Sequence, residues 1–206
     1  MNISNLTIIT ISEKDITDFS KVRNLRLKEA TTDWVLFLDS DEQLTPKLEG
    51  EINKAIKFTS YAAYNLKRQD TFLGRTLKFG ETANVKLIRL ARRDFGLWQR
   101  PVHECWVGEG RVGELKNPLH HNPHKTISNF LEKINKYSTI EANYRFQNQV
   151  SPTLLHVIFY PPAKFLRNYI LLQGFRDGVP GLIMALMMSF HSFLTWTKLY
   201  LLCKKD

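Results

Sequence analysis

The sequence predicts an α/β protein with a mostly parallel sheet, followed by a helical C-terminal region. An uninterrupted apolar run, 34–38, is typical of a strand buried on both faces, as in parallel sheets. Segments with helical spacing alternate with strand-like segments through the first 150 residues. From Val179 to Leu202 the chain is almost wholly apolar, which indicates a further helix.

Each element follows from a local pattern. Before the central strand, residues 5–11 predict a strand and Phe19–Ala30 a helix with a rough apolar stripe. After it, Thr45-Pro46 favours a helix start, and apolar spacing continues to Phe58. The remaining predicted segments are strands at 61–66 and 85–90, a turn at 72–75, a loop with a strand end at 96–104, a loop at 118–123 and a helix from Thr126 to about Phe146.

A change of composition near residue 150 predicts two domains, 1–150 and 151–206. Pro152 and Pro161-Pro162 are expected to form a hinge after the first. In the second, the polar residues of the apolar segment fall on one side of a helix, which favours a helix lying in the membrane interface. A membrane-spanning helix and a buried core helix or oligomer interface are the alternatives.

Composition limits the partners of this chain. It has 206 residues, a net charge of +9 and 43% hydrophobic residues, which is typical of a globular protein with an anionic neighbour. Nucleotide phosphates and an anionic membrane surface fit, whereas no motif that would stack and hold bases points to nucleic acid. Two scattered cysteines and the lack of a signal-peptide pattern predict a reducing, cytoplasmic location.

Two carboxylates one residue apart, Asp39 and Asp41, come directly after the buried strand. Ligands of open α/β sheets bind at the carboxyl ends of the strands. Paired carboxylates suit Mg²⁺ or Mn²⁺, commonly shared with substrate phosphates, so the pattern is consistent with a metal-bound diphosphate. The alternative is an acidic turn before the next helix.

Several further motifs occur in a fixed order over about residues 18–145. They are Asp18–Asn24, Asp33–Glu42, Arg68 with Phe72–Arg75, Arg89-Leu90, Pro101–Glu104, and His121 followed by Lys133 and Tyr137-Ser138. Together they resemble family 2 glycosyltransferases, the inverting GT-A enzymes, and among these the lipopolysaccharide-core β-glucosyltransferase-like members. The resemblance implies transfer of a sugar from a nucleotide-sugar, with UDP-hexose expected, to a lipid-linked or lipopolysaccharide-type glycan. It also implies work at the cytoplasmic face of the membrane.

The family normally opens with two further βα units that supply much of the nucleoside pocket, and 17 residues precede Asp18 here. The resemblance therefore implies a chain that lacks those units, through a real loss or a start placed too late. Weak or absent transferase activity is expected of residues 1–206 alone. The alternative function is a catalytically degenerate homologue that binds a membrane or a partner enzyme.

The resemblance also implies roles for residues around the donor. Asp39 and Asp41 would hold the metal and the donor, with Arg23 and Asn24 beside them. A guanidinium could pair with a phosphate or hold Asp41 in place. The alternative for Arg23 is a solvated cation on a helix face.

On the acceptor side, Glu104 resembles the general base that takes the proton from the attacking hydroxyl, with His103 orienting it or touching the acceptor. Trp98 and Arg100 offer an aromatic face and a cation that suit a sugar or a phosphorylated glycan, and Arg68 is a third acceptor candidate. The alternative is a buried tryptophan and an ordinary salt bridge.

A histidine cluster, His120, His121 and His124, is the last candidate. Its spacing is not a recognised zinc pattern, and Cys105 is a single thiol. His121 matches a histidine position of the family, which implies a further metal ligand. Otherwise it is a loop histidine near the phosphates.

Overall fold

The computed structural model describes residues 5–12, 16–58, 60–124 and 126–204. The chain divides into two compact units. We call residues 1–69 and 85–122 the sheet unit, and residues 70–84 and 123–206 the helical unit. The domains expected from sequence, 1–150 and 151–206, are a functional division and stay a prediction.

Ten strands occur in the described parts of the chain. They are β1 Leu6–Ile11, β2 Trp34–Asp39, β3 Glu42–Gln43, β4 Ala63–Phe72, β5 Arg75–Thr76, β6 Lys86–Arg92, β7 Gly96–Gln99, β8 Cys105–Gly108, β9 Val112–Glu114 and β10 Leu119–His121. The five α-helices are α1 Phe19–Glu29, α2 Pro46–Ala55, α3 Ile127–Gln147, α4 Leu154–Leu166 and α5 Val179–Cys203.

The sheet of the sheet unit is mixed, so the prediction of a mostly parallel sheet is wrong. β2 pairs in parallel with β1, but β6 runs antiparallel to both β2 and β4. β9 pairs in parallel with the start of β4, while β3 with β10 and β7 with β8 are antiparallel pairs. Parallel neighbours need a long crossover, usually a helix. After α2 the sheet unit continues without an α-helix, so β4 and β6 pair antiparallel.

Strand β2 is an interior strand between β1 and β6, second from the edge of the sheet rather than central, and it is buried on both faces as predicted. Val35 and Phe37 belong to a core cluster with the buried residues of α1, whereas Trp34, Leu36 and Leu38 belong to a second cluster with those of α2. Four of these five side chains are at most 1% exposed. This double burial fixes the end of β2, where the candidate carboxylates begin.

The two helices of the sheet unit have the starts that the sequence predicts. The Asp18 carboxylate accepts from the backbone N–H of Lys21, and the Thr45 hydroxyl accepts from that of Leu48. Each cap satisfies an N–H that lacks a partner in the first turn.

The helical unit is built around α3, α4 and α5. Its core joins Phe72 and Leu77 of the β4–β5 hairpin segment to Phe130 and Ile134 of α3 and to Met184 of α5. The predicted turn at 72–75 is confirmed, because Leu73 and Gly74 adopt φ values of 49° and 73° between β4 and β5. Two successive positive φ values suit the tight turns that join antiparallel strands. The N-cap at Thr126 is confirmed as well.

Two local predictions are wrong. Pro161 and Pro162 do not form a hinge but lie inside α4. Pro161 is buried, and the Ser189 hydroxyl on α5 donates to its carbonyl at 2.7 Å, so packing between the two helices outweighs the loss of helical N–H groups. The 118–123 segment contains a strand, β10, which pairs with β3.

Helix α5 is, by length and composition, able to cross a membrane. Only 28% of its most apolar window is buried. Its buried side, which includes Met184 and Leu199, packs against other helices of the helical unit.

Candidate active site

The candidate site lies where β2 ends in the sheet unit. Asp39 is the last residue of β2, and Glu42 follows in β3. Arg89 comes from the neighbouring strand β6, Arg23 from α1, and Glu104 directly precedes β8. Chain segments far apart in sequence thus bring two guanidiniums and three carboxylates together.

Arg23 is fully buried and joins two of the carboxylates. Its Nη2 donates to Asp39 Oδ1 and, at 2.8 Å, to Glu104 Oε1. Its Nε donates to the same Glu104 oxygen at 3.1 Å. Arg23 is therefore an interior residue of the site, and the alternative of a solvated helix-face cation is wrong.

Arg89 closes the network from the other side. Its Nη2 donates to Asp39 Oδ2 at 2.6 Å and to Glu42 Oε1 at 3.3 Å, and its Nη1 lies 3.8 Å from Glu104 Oε1. Glu42 in turn accepts from the backbone N–H of Asp39 at 2.9 Å. Buried charges persist only when they are paired and hydrogen-bonded, and each of these five side chains is paired, while Arg23 Nη1 and Arg89 Nε are buried without a hydrogen-bond partner among the described residues.

The electrostatic balance favours the ionised forms. Burial raises the pKa of Asp39, but the Arg89 and Arg23 guanidiniums outweigh it and hold that pKa below its ordinary value. Burial lowers the pKa of Arg89, and Asp39, Glu42 and Glu104 together raise it. The end of β2 thus brings together three carboxyl groups and two guanidinium groups.

Trp98 lies beneath the two arginines. The Arg23 guanidinium is 4.6 Å from the centre of a Trp98 ring, and that of Arg89 is 5.6 Å away. Trp98 is 3% exposed and stacks on Trp106 at 5.2 Å. This burial agrees with the alternative interpretation of Trp98 as a buried tryptophan. Trp98 contributes to the site by contacting the two arginines.

Asn24 fixes the strand that carries this tryptophan. Its Nδ2 donates to the Trp98 carbonyl, and its Oδ1 accepts from the Trp98 N–H, both at 2.9 Å. The amide is thus engaged with the backbone of β7, and its donor-binding role stays a prediction.

Asp41 and His121 form a second pair at the same strand end. His121 Nε2 lies 3.4 Å from Asp41 Oδ1, and the Asp41 carbonyl accepts from the Asn122 N–H at 2.9 Å. The pairing of β10 with β3 produces this contact, because His121 lies opposite Glu42.

No group of three or more His, Cys, Asp or Glu side chains within the described residues is arranged to hold a metal ion. Asp41 and His121 supply two possible ligands, one oxygen and one nitrogen. Such a pair fits Mg²⁺ or Mn²⁺, which are commonly held by one or two protein ligands together with substrate phosphates. Asp39 differs from them, because both of its oxygens accept hydrogen bonds from arginines.

The loop before β8 brings in the remaining acceptor candidates. Arg100 and His103 adopt positive φ values of 73° and 52°, which are uncommon for residues with side chains. Pro101 anchors the loop by accepting from the Phe19 N–H at 2.9 Å. His103 is exposed next to Glu104, and Arg68 lies half-buried on β4. Their roles stay predictions.

Sequence reasoning assigned no role to Arg89 or Glu42, although both complete the network. A signal for Arg89 was present, since a cation lies among the apolar residues Leu87, Ile88 and Leu90 of the strand predicted at 85–90. A charge in such a strand must have a buried partner. Glu42 carried no comparable signal, because an acid after Asp39 and Asp41 fits an exposed turn equally well.

Comparisons with known proteins point in one direction. The chain is 29% identical over 184 residues to the lipopolysaccharide core biosynthesis glycosyltransferase LpsC of Rhizobium meliloti, covering 86% of this chain and 67% of LpsC. It is 25% identical over 186 residues to an uncharacterized glycosyltransferase of Rickettsia typhi, covering 81% and 62%. These similarities support a glycosyltransferase.

A third similarity is shorter. The chain is 33% identical over 88 residues to a TPR repeat-containing protein of Synechococcus elongatus, covering 42% of this chain and 20% of that protein. No family model matches the chain. Glycosyl transfer in general is therefore what the comparisons support.

Proposed function

We propose that this protein is an inverting, metal-dependent glycosyltransferase with a GT-A-like fold. It would transfer a sugar from a nucleotide-sugar donor, UDP-hexose by expectation, to a lipid-linked or lipopolysaccharide-type glycan. The observation that carries the proposal is the buried Arg23–Asp39–Arg89–Glu104 network at the end of β2, beside the Asp41–His121 pair. Similarity to a lipopolysaccharide core glycosyltransferase supports the acceptor class.

Glu104 is the proposed general base. Its ion pairs with the described residues all use Oε1, so Oε2 is the oxygen proposed to accept the proton of the acceptor hydroxyl. Arg23 and Arg89 fix the carboxylate at one position, and positioning of the attacking group supplies much of the rate of such a transfer.

Asp41 and His121 are the proposed ligands of a divalent cation, and donor phosphate oxygens would complete its coordination. A bound Mg²⁺ or Mn²⁺ supplies charge neutralisation on the departing nucleotide. Asp39 would act through the two arginines, as a positioning residue rather than a direct ligand.

The helical unit is proposed to lie on the cytoplasmic surface of a membrane. Helix α4 exposes large apolar side chains, among them Leu155, Phe159 and Leu166, which are 54–62% exposed. Contiguous apolar surface of this kind is typical of membrane or protein contact sites. Helix α3 instead turns Glu132 and Asn143 to solvent.

Packing of α5 favours a peripheral helix over a spanning one. Lys198 of α5 donates to the Asn135 carbonyl and the Ser138 and Thr139 hydroxyls of α3, at 2.8–2.9 Å. The polar helix α3 therefore lies along α5, and in a spanning arrangement it would enter the bilayer, where exposed polar groups are costly.

The deciding experiment separates binding from transfer. Glu104→Gln should retain nucleotide binding and lose transfer by at least about a hundredfold, the usual contribution of a general base. Asp41→Ala should lose the metal-dependent part of nucleotide binding. Asp94→Asn, an exposed carboxylate after β6, is the control and should leave both unchanged. Transfer undiminished in Glu104→Gln would remove the base assignment.

A second measurement addresses the nucleoside pocket. From sequence, calorimetric titration with UDP, GDP and dTDP in Mn²⁺ is expected to show weak binding without a preference, whereas the proposed UDP-hexose donor requires a preference for UDP. Tight binding of one of them would demonstrate a selective pocket and a fully working enzyme. Absence of any nucleotide binding would favour the degenerate homologue.

A further inference from the structure

A basic cleft lies entirely within the helical unit. It has a volume of about 600 Å³ and is bounded by the β4–β5 turn, the segment after β5 and the turn before α5. Its cationic lining residues are Arg75, Lys78 and Arg176, and the remaining ones include Phe79 and Asp177. None of these residues takes part in the proposed active site.

The three cations are not neutralised by the protein. Within the described residues, none of them forms an ion pair with a carboxylate. Arg75 donates to the Arg176 carbonyl at 3.3 Å, and Arg176 donates to the side-chain oxygen of Gln173 at 2.8 Å. This contrasts with Lys164 and Arg167, which both pair with Glu81.

The one acid of the cleft is occupied structurally. Asp177 is 2% exposed, and its Oδ2 accepts from the backbone N–H groups of Lys78 and Phe79 at 3.0 and 2.9 Å. The contact ties the segment after β5 to the turn before α5, which holds the cations on two chain segments in one place. The Arg176 guanidinium lies 4.3 Å from the centre of the Phe79 ring, which orients it further.

Three apolar residues within five positions of Arg176 in the sequence are exposed. Leu171 is 74% exposed, Phe175 48% and Val179 67%. Helix α5 also begins next to the cleft, so its N-terminal N–H groups add positive potential there. A cationic cleft with an exposed apolar border suits a ligand that has an anionic head and an apolar tail.

We propose that this cleft binds the phosphate group of a membrane lipid, with the acyl chains lying along Leu171, Phe175 and Val179. The proposal rests on the membrane association described above and adds to it a specific headgroup. A guanidinium pairs with a carboxylate and with a phosphate alike, but a phosphate presents more oxygens, so three cations around one cleft favour phosphate over a carboxylate of the same charge. Phosphate bound here would also fix how deeply α4 and α5 sit in the interface.

The test uses the full chain and three kinds of phosphatidylcholine vesicle: neutral, with phosphatidic acid, and with oleic acid, the last two matched in surface charge by their zeta potential. Sedimentation should show tighter binding to phosphatidic acid vesicles than to oleic acid vesicles. The triple variant Arg75→Gln, Lys78→Gln, Arg176→Gln should bind phosphatidic acid vesicles about a hundredfold more weakly, since each cation at an anionic surface contributes about fivefold. It should also lose its preference for phosphate.

The matched control removes three exposed lysines of the sheet unit by substitution with glutamine: Lys47 and Lys54 on α2, and Lys57 just after it. This variant has the same net charge as the cleft variant and should retain the preference. An equal loss in both variants would mean diffuse attraction and would overturn the proposal. Because all three cleft cations are exposed, the cleft variant should unfold at the wild-type midpoint.

The remaining measurements show which claim fails, the phosphate headgroup or the membrane association itself. If the wild type binds both anionic vesicles equally, the headgroup assignment fails and membrane association stands. If it binds no vesicle, both fail. Soluble glycerol phosphate should displace the protein poorly, because it lacks the acyl chains, and displacement at low concentration would assign the cleft to a soluble phosphate ester instead.

Discussion

The sheet unit and the helical unit differ from an ordinary globular protein in opposite ways, in the kinds of side chain that they bury and expose. In the sheet unit, charged side chains are buried and paired around Arg23 and Arg89. In the helical unit, apolar side chains such as Leu155 and Phe159 are exposed on α4. The first arrangement costs desolvation and the second leaves apolar surface in water. This difference is consistent with the proposed roles, transfer in the sheet unit and membrane attachment in the helical unit.

The largest effect on stability is expected from Arg89→Leu, which removes a paired charge from the buried network of the sheet unit. It leaves Asp39 and Glu42 with too few cations in a buried site, so we expect a loss of about 3–5 kcal/mol in the free energy of unfolding. Denaturant titration measures it. Lys86→Leu on the same strand is the control: Lys86 and Glu114 are 51% and 55% exposed, and such a surface pair contributes at most about 1 kcal/mol. Similar losses in both variants would mean that burial does not distinguish the network.

A smaller effect is expected from acid. The folded-state pKa of Asp39 is lowered, so the unfolded chain binds more protons as pH approaches the ordinary value of 3.8. The stabilisation is therefore fully present above that value and is lost as pH falls through the lowered pKa. Denaturant midpoints from neutral pH downward should fall in the wild type and fall less steeply in Asp39→Asn. An identical slope in the two proteins would show that Asp39 is not responsible.

The smallest effect on stability should come from the apolar surface. Leu155→Ser on α4 should change the free energy of unfolding by no more than about 0.5 kcal/mol, because the side chain is 62% exposed. It should nevertheless weaken vesicle binding. Leu25→Ser on α1 of the sheet unit is a matched control, since Leu25 is also 62% exposed, and it should leave vesicle binding unchanged. Equal weakening by both would remove the special role of α4.

Local patterns predicted much of the fold. The run 34–38 identified a doubly buried strand, and the Thr126 cap and the apolar extent of α5 identified two helices. These features depend on near neighbours in the chain. The pairing of β6 and the continuation of α4 through Pro161 depend on distant partners, so local patterns gave the wrong answer.

The candidate site likewise has residues that local motifs identified and contacts that depend on distant parts of the chain. Asp39, Asp41, Arg23 and Glu104 were identified through motifs, and the structure brings Asp39, Arg23 and Glu104 into direct contact. The place of Arg89 in the network depends on which strand lies beside β2. The contact of His121 with Asp41 depends on β10, a strand of only three residues. A strand so short has no recognisable alternation in sequence.

The Asn24 amide has a consequence for one edge of the β7–β8 pair. It occupies both the N–H and the carbonyl of Trp98, the groups that an incoming strand would need in order to extend the β7–β8 pair. Open strand edges are templates for aggregation, and native proteins protect them. Asn24 therefore acts as a side-chain substitute for a neighbouring strand. Replacing it with leucine would leave both backbone groups of Trp98 without this partner beneath α1, and the free energy of unfolding would fall.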